Sequence, residues 1–216
     1  MEVRVMKNIM DVNNKIADEN RAFFKENGIA AVNVMASPGA GKTSIIMKLI
    51  ELLGKEIGFG VIEGDIASSI DAQKIDAMGV PVVQINTGGG CHLDANMIRT
   101  VVTETKAFEN SVLFIENVGN LVCPSSFDLG ESVKMVIASV PEGHDKPYKY
   151  TSMFEAADIV ILNKIDLIHY IDFDMELFRK GVEAINPKAE IIEISWRTGA
   201  GLDKLAERIK GYAGKR

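Results

Sequence analysis

The sequence predicts an α/β fold: a mainly parallel seven-stranded sheet with helices on both faces. Three observations predict it. Seven apolar runs of strand length recur along the chain, helical stretches separate them, and a glycine-rich turn follows the first run. The runs are rich in β-branched residues and do not alternate with polar ones, as expected of strands covered on both faces. In such sheets ligands sit beyond the carboxyl ends of the strands, so the residues just past each run carry the function.

The opening segment, Lys7 to Asn27, is amphipathic and predicts a helix laid against the core. Residues 1–28 are thus expected to be an N-terminal helical extension, and 29–216 one domain. The runs come in order as Ala30 to Ala36, Phe59 to Asp65, Val80 to Asn86 and Ser111 to Asn117. Lys134 to Val140, Asp158 to Lys164 and Ala189 to Ser195 complete the set. A length of 216 residues, 47% of them hydrophobic, suffices for one sizeable core. No run approaches the ~20 apolar residues of a membrane span, and the start lacks the apolar centre of a signal peptide. A cytoplasmic protein without a membrane partner is expected. The net charge of −6 offers no footprint for a polyphosphate backbone, which argues against nucleic acid. Two cysteines cannot make a disulfide framework; each is either a small buried hydrophobe or a thiolate with a task.

The first run leads into ASPGAGKTS, residues 36–44. The phosphate-loop pattern is GxxxxGK(S/T); Gly41, Lys42 and Thr43 are in register, while Ala36 replaces the leading glycine. Gly39 and Gly41 allow the backbone to fold into a nest of inward amides, and the helix starting near Thr43 adds its positive dipole end. Candidate phosphate contacts are Pro38, Gly39, Ala40, Gly41, Lys42, Thr43 and Ser44. Lys42 would reach the β and γ phosphates, and the Thr43 hydroxyl would bind Mg2+. The domain is accordingly expected to be a P-loop G-domain.

The sixth run ends in NKID, Asn163 to Asp166. A carboxylate in the plane of a purine accepts two hydrogen bonds from guanine and would be left unpaired by adenine, so Asp166 selects guanine. Asn163 can bind the other edge of the base or tie neighbouring loops, and the stem of Lys164 can cover a ring face. After the last run, SWRTGAGL begins with Ser195, Trp196 and Arg197, a loop that could close over the base. Sensing of the γ phosphate falls to the second and fourth runs, which end EGD and ENVG. There Asp65 and Glu116 are the candidate Mg2+ ligands beside Thr43, and the Gly119 amide could meet the γ phosphate. Either carboxylate could instead cap the next helix. Lys42, Asp65 and Glu116 are the candidate catalytic residues. Asn120 and Leu121, not glutamine, come after Gly119, so hydrolysis of GTP to GDP should be slow and the protein should act as a switch.

GGGCHLDA follows the third run and GNLVCPSS the fourth, so Cys91, His92 and Cys123 all lie on the nucleotide edge. Thiolate and imidazole suit Zn2+ and Ni2+. Three donors fall one short of a closed zinc site, and water or a second copy across a two-fold axis would complete it. A nucleophilic role for Cys91 is poorer, because neighbours on a helix or strand point in different directions.

The set ASPGAGKTS, EGD, GGGCHLDA, ENVGNLVCP, EGHDKPYKY, NKID and SWRTGAGL resembles the HypB family of GTPases that assist nickel insertion into NiFe hydrogenase. The resemblance covers the chain from about residue 30 onward. It implies a P-loop fold that dimerises with nucleotide and a metal site at the dimer interface built from Cys91, His92 and Cys123. It also implies partners, a HypA-like nickel metallochaperone and the hydrogenase large-subunit precursor. EGHDKPYKY matches a family loop, with Asp145, Lys146 and Lys149 as residues that respond to nucleotide or reach a partner subunit. Many family members carry a histidine-rich or cysteine-rich segment near the N-terminus. Met1 to Ile29 contains neither residue type, so nickel storage is not expected. The rival readings are a urease accessory GTPase, which would show Cys-Pro-His, a G-protein chaperone of cobalamin enzymes, and a metal-binding scaffold that never turns GTP over.

Overall fold

The computed structural model describes residues 9–65 and 70–213. The first two residues of the expected opening helix, and all of 66–69, lie outside that range. Seven strands form a single parallel sheet: β1 (Ala30–Ala36), β2 (Gly58–Asp65), β3 (Val82–Asn86), β4 (Ser111–Glu116), β5 (Val133–Ser139), β6 (Ile159–Asn163) and β7 (Glu190–Glu193). Their spatial order is β3-β2-β4-β1-β5-β6-β7. The expected architecture is therefore the observed one, and no strand end differs from expectation by more than two residues. At β3 the reason is visible in the sequence. Pro81 has no N–H to give a ladder, and pairing with β2 begins at Val82 opposite Val61.

Alternate residues of β1 show how both faces are filled. Val32, Val34 and Ala36 point into a core shared with Ile45, Ile46 and Leu49 of α2 (Lys42–Leu53) and Leu205 and Ile209 of α8 (Leu202–Ala213). Ala31 faces the other way, toward Phe24 of α1 (Ile9–Glu26) and Ile98 of α4 (Ala95–Glu104). Met35 also faces that way, into a cluster with Phe154 of α6 (Thr151–Glu155) and Phe178 and Val182 of α7 (Met175–Ile185). Burying each such side chain contributes about 1.5–3 kcal/mol, which is why the strands lack polar alternation. Two short helices, α3 (Ile70–Asp76) and α5 (Lys146–Lys149), complete the set.

On α1 the apolar stripe is interrupted by two buried asparagines. Asn20 donates to Ala95 O and Leu129 O, both at 2.9 Å, and Asn13 accepts from the Ala95 N–H at 2.9 Å. The helix is thus bonded to the start of α4, just past the Cys91–His92 loop. No helix among the described residues is long and apolar enough to cross a membrane.

Candidate functional site

Strand order decides what meets what. β1 is central, so the turn after it lies beside the ends of β4 on one side and β5 on the other, with β6 one strand further. The turn from Ser37 to Gly41 connects β1 directly to α2, and Gly41 is the N-cap residue in the left-handed region at φ 104° with no side-chain cap. A Cβ there would stand 2.6 Å from Asn163 Nδ2, so only glycine fits both the angle and the space. The first N–H groups of α2 therefore open toward the cavity, where an anion is favoured.

That cavity has a volume of about 740 Å3. Pro38, Gly39, Gly41, Lys42, Thr43 and Ser44 line one wall, Asp65, Glu116 and Gly119 a second, and Trp196 and Arg197 a third. These eleven predicted residues are brought together. Ala40 is not among them; its side chain is buried in the core and its carbonyl accepts from Asn163 Nδ2 at 2.9 Å. Of the two uses open to Asn163, the structure shows the tying of loops. Lys164, left-handed at φ 61°, donates from Nζ to Gly39 O at 2.7 Å, so NKID is strapped to the phosphate loop at two points. Asp166 stands on the next turn, the 3-10 segment Ile165–Tyr170. Ser195 is fully buried, and its Oγ accepts from the Thr198 N–H at 3.2 Å, which shapes the loop carrying Trp196 and Arg197.

The acidic wall holds more than the sequence suggested. Thr43 Oγ1 donates toward Glu116 Oε1 at 2.8 Å and lies 3.2 Å from Asp71 Oδ2 on α3. Glu63 of β2 pairs in register with Glu116 of β4. Each keeps one carboxylate oxygen, Oε2, buried without a partner. Burial pushes both carboxyls up to about 7; for Glu63 the charge of Glu116 adds to this, and for Glu116 the Lys42 ammonium opposes it. Orphaned buried oxygens around a hydroxyl are hard donors of the kind Mg2+ takes, so the residues fit that ion. Glu116 is not used as a helix cap: its Oε1 accepts from Thr43 and its Oε2 is unpaired. Glu63 and Asp71 were missed, although a charge inside the apolar run GFGVIEGD was a usable signal.

Gly119 shows how close the fourth segment comes to the phosphate loop. A Cβ on it would meet Pro38 at 3.0–3.2 Å, which leaves no room for any other residue without displacement. Glu142, in the EGHDKPYKY loop, was also missed: its carboxylate accepts from Ser37 Oγ of the phosphate loop and from Ser139 Oγ at 2.7 Å. In the same loop Lys149 pairs with Asp145, and Lys146 lies over the Tyr150 ring at 5.1 Å.

Cys91, His92 and Cys123 meet. Their ligand atoms lie within 4.8 Å of one another and all three residues are half-buried. Cys91 Sγ is 3.5 Å from His92 Nδ1. Neighbours diverge on a helix or strand, but residues 91 and 92 sit in irregular backbone, and here they converge. A hydrogen bond with Cys123 holds the Cys91 thiol above its usual pKa, while burial lowers that of His92. The His92 ring stacks on Phe127 with centroids 3.8 Å apart, which fixes its plane. Ligands 2.0–2.3 Å from a tetrahedral metal stand roughly 3.3–3.8 Å apart, so the cluster need contract by only about 1 Å.

A family model described as CobW/HypB/UreG, nucleotide-binding domain, matches residues 30–193. A hydrogenase maturation factor HypB from Azotobacter vinelandii is 47% identical over 214 residues, covering 99% of this chain and 71% of the relative. The chain belongs to this family, on its HypB branch. Two solved HypB structures are similar throughout. That from Archaeoglobus fulgidus has a TM-score of 0.89 at 37% identity, covering 94% of this chain and all of the other. That from Helicobacter pylori, in complex with nickel, has a TM-score of 0.88 at 35% identity and covers 94% and 95% of the two chains. As a family member, this HypB-branch chain carries a nucleotide-binding domain, and hydrogenase maturation is the role its relatives' names give.

Proposed function

We propose that this chain is a cytoplasmic GTP-hydrolysing metallochaperone that delivers nickel for NiFe hydrogenase maturation, with nucleotide state governing a Cys/His metal clasp. The observation that carries the reading is that one short segment touches both sites. Glu116 bonds Thr43 in the nucleotide cavity, Gly119 backs onto Pro38, and Cys123 lies four residues beyond Gly119 in the thiol–imidazole cluster.

Topology supports one direction for the nucleotide. The strap of Asn163 and Lys164 to the phosphate loop supports guanine lying toward β6 and β7, under Asp166, Trp196 and Arg197. The triphosphate then points over the start of α2 toward β4 and β2. Lys42 and the α2 amides bind the β and γ phosphates, while Thr43, Asp65 and Glu116, with Glu63 and Asp71 behind them, would hold Mg2+. When bound, that ion supplies positive charge to the phosphate oxygens. Water displaces GDP from the γ phosphorus, yielding phosphate. With Asn120 and Leu121 after Gly119, the segment brings no glutamine to orient the water, and turnover is slow.

The clasp takes Ni2+ or Zn2+ as cargo on two sulfurs and one nitrogen, with water or a second copy of the chain supplying the fourth position. A GTP-stabilised homodimer with this patch on its two-fold axis suits that count. In this reading the nickel source is a HypA-like metallochaperone and the recipient is the hydrogenase large-subunit precursor. The test is nickel affinity with GDP and with a slowly hydrolysed GTP analogue, both with Mg2+. Coupling of about 1–3 kcal/mol separates the two by about 5- to 150-fold. Equal affinities would defeat the reading.

A further inference from the structure

The nucleotide cavity and the thiol–imidazole cluster are joined by more than the chain between Gly119 and Cys123. Asn117, directly after Glu116, is 1% exposed. Its Oδ1 accepts two hydrogen bonds, from the Val118 N–H and from the Leu93 N–H, each at 3.0 Å. Its Nδ2 donates to Asn33 Oδ1 at 3.2 Å, and Asn33 in turn donates to Glu131 Oε1 at 3.1 Å, which anchors the far side of the amide to β1. Three residues on, Asn120 donates from Nδ2 to Cys91 O at 3.4 Å and accepts from the Val122 N–H at 2.8 Å. The residues on either side of His92 are therefore each bonded to an asparagine of the Glu116–Asn120 segment. Asn120 also fixes the residue before Cys123.

We propose that Asn117 and Asn120 are positioning residues that convey a displacement of the γ-phosphate segment to the backbone of the Cys91–His92 loop, so that all three metal donors move together. The inference rests on the nucleotide–metal coupling proposed above and names the groups that carry it. The chain connection alone moves only Cys123. The asparagines add Cys91 and His92, because a buried N–H cannot lose its acceptor cheaply and Leu93 must move with Asn117 Oδ1. The core bond from Asn117 to Asn33 explains a buried amide; the shared acceptor between two separate loops is what a purely structural role leaves unused. Asn120, half-buried, has no part in the apolar core at all.

The experiment uses the full chain. Ni2+ affinity is measured with Mg2+ and either GDP or a slowly hydrolysed GTP analogue, for the native protein, Asn117→Ala and Asn120→Asp. Asn120→Asp keeps an acceptor for Val122 and removes the donor to Cys91; the negative charge it adds acts on nickel in both nucleotide states and cancels in the ratio. A native ratio of affinities in the range of about 5- to 150-fold is expected to fall to a third of itself or less in each variant. GDP affinity should stay within about twofold of native. A structural defect would instead weaken nickel equally in both nucleotide states and leave the ratio alone. If Asn117→Ala fails to bind GDP, Asn120→Asp decides. A native ratio that both variants retain overturns this inference and leaves the proposed function standing. A native ratio of one overturns both.

Discussion

The nucleotide cavity and the thiol–imidazole cluster share one edge of one sheet, yet they are built differently. The phosphate loop is local: its glycines, its lysine and the helix it starts are consecutive residues, and a cavity wall forms wherever β1 runs into α2. The cluster is assembled from two loops, after β3 and after β4, strands that β2 separates in the sheet. Nothing local holds Cys123 near Cys91. What does so is a pair of side-chain amides, buried Asn117 and half-buried Asn120, together with the ring of Phe127 against His92. A site made by local backbone geometry should be hard to disturb from afar. A site made by cross-loop hydrogen bonds should be easy to disturb, which suits the proposed carrier, since it must release its metal.

The largest effect separates the two regions outright. Lys42→Ala is expected to slow GTP hydrolysis by roughly 100-fold or more, as removing a transition-state donor does. Nickel affinity without nucleotide should stay within about twofold of native, and a phosphate-release assay beside a nickel titration checks both. The converse is Cys91→Ala or Cys123→Ala. Either should weaken nickel by at least the roughly 10- to 100-fold that losing even an outer-shell partner costs. GDP affinity should not change; loss of both activities would mean misfolding and erase the contrast.

Next come two glycines that distinguish the loop from the segment facing it. Gly41→Ala places a Cβ at φ 104° and against Asn163, so it should destabilise the fold by about 1–3 kcal/mol and weaken GDP and GTP alike. Gly119→Ala crowds Pro38 first, at a point where the γ phosphate is expected. It should weaken a GTP analogue by about tenfold, some 1.4 kcal/mol, and leave GDP nearly unaffected. Equal losses for both nucleotides would remove Gly119 from γ-phosphate sensing.

The last contrast concerns acidity. Glu63 and Glu116 titrate near 7 in the folded chain against the usual 4.5, so the folded state holds protons that the unfolded chain has released. For protein free of nucleotide and Mg2+, their contribution to stability is fully present below about pH 4.5 and is lost as pH rises through about 7. Urea unfolding across that range should show the decline, and Glu63→Gln should flatten it. An unchanged slope would mean that Glu63 does not titrate above its usual range in the folded chain.

Much of this was legible in the residues alone. GKT after an apolar run, NKID after another and the order of the runs fixed the sheet, the cavity and eleven of its lining residues, because each depends on local backbone preference and apolar burial. Glu63 shares a strand face with Asp65 and was still overlooked, since its place beside Glu116 depends on register with β4. Glu142 was overlooked because its partner, Ser37, is 105 residues away.

Local chemistry thus determined the fold class, the phosphate turn and the presence of two thiols and an imidazole on the functional edge. Only the folded chain decided that Cys91 and His92 turn toward the same point, that Cys123 joins them, and that Asn163 ties loops together. The reason is that a strand or turn is specified within a few residues by dihedral preference and hydrophobic period. The meeting of two loops is specified by which buried donors find acceptors across the sheet, and that is settled only when every strand is in place.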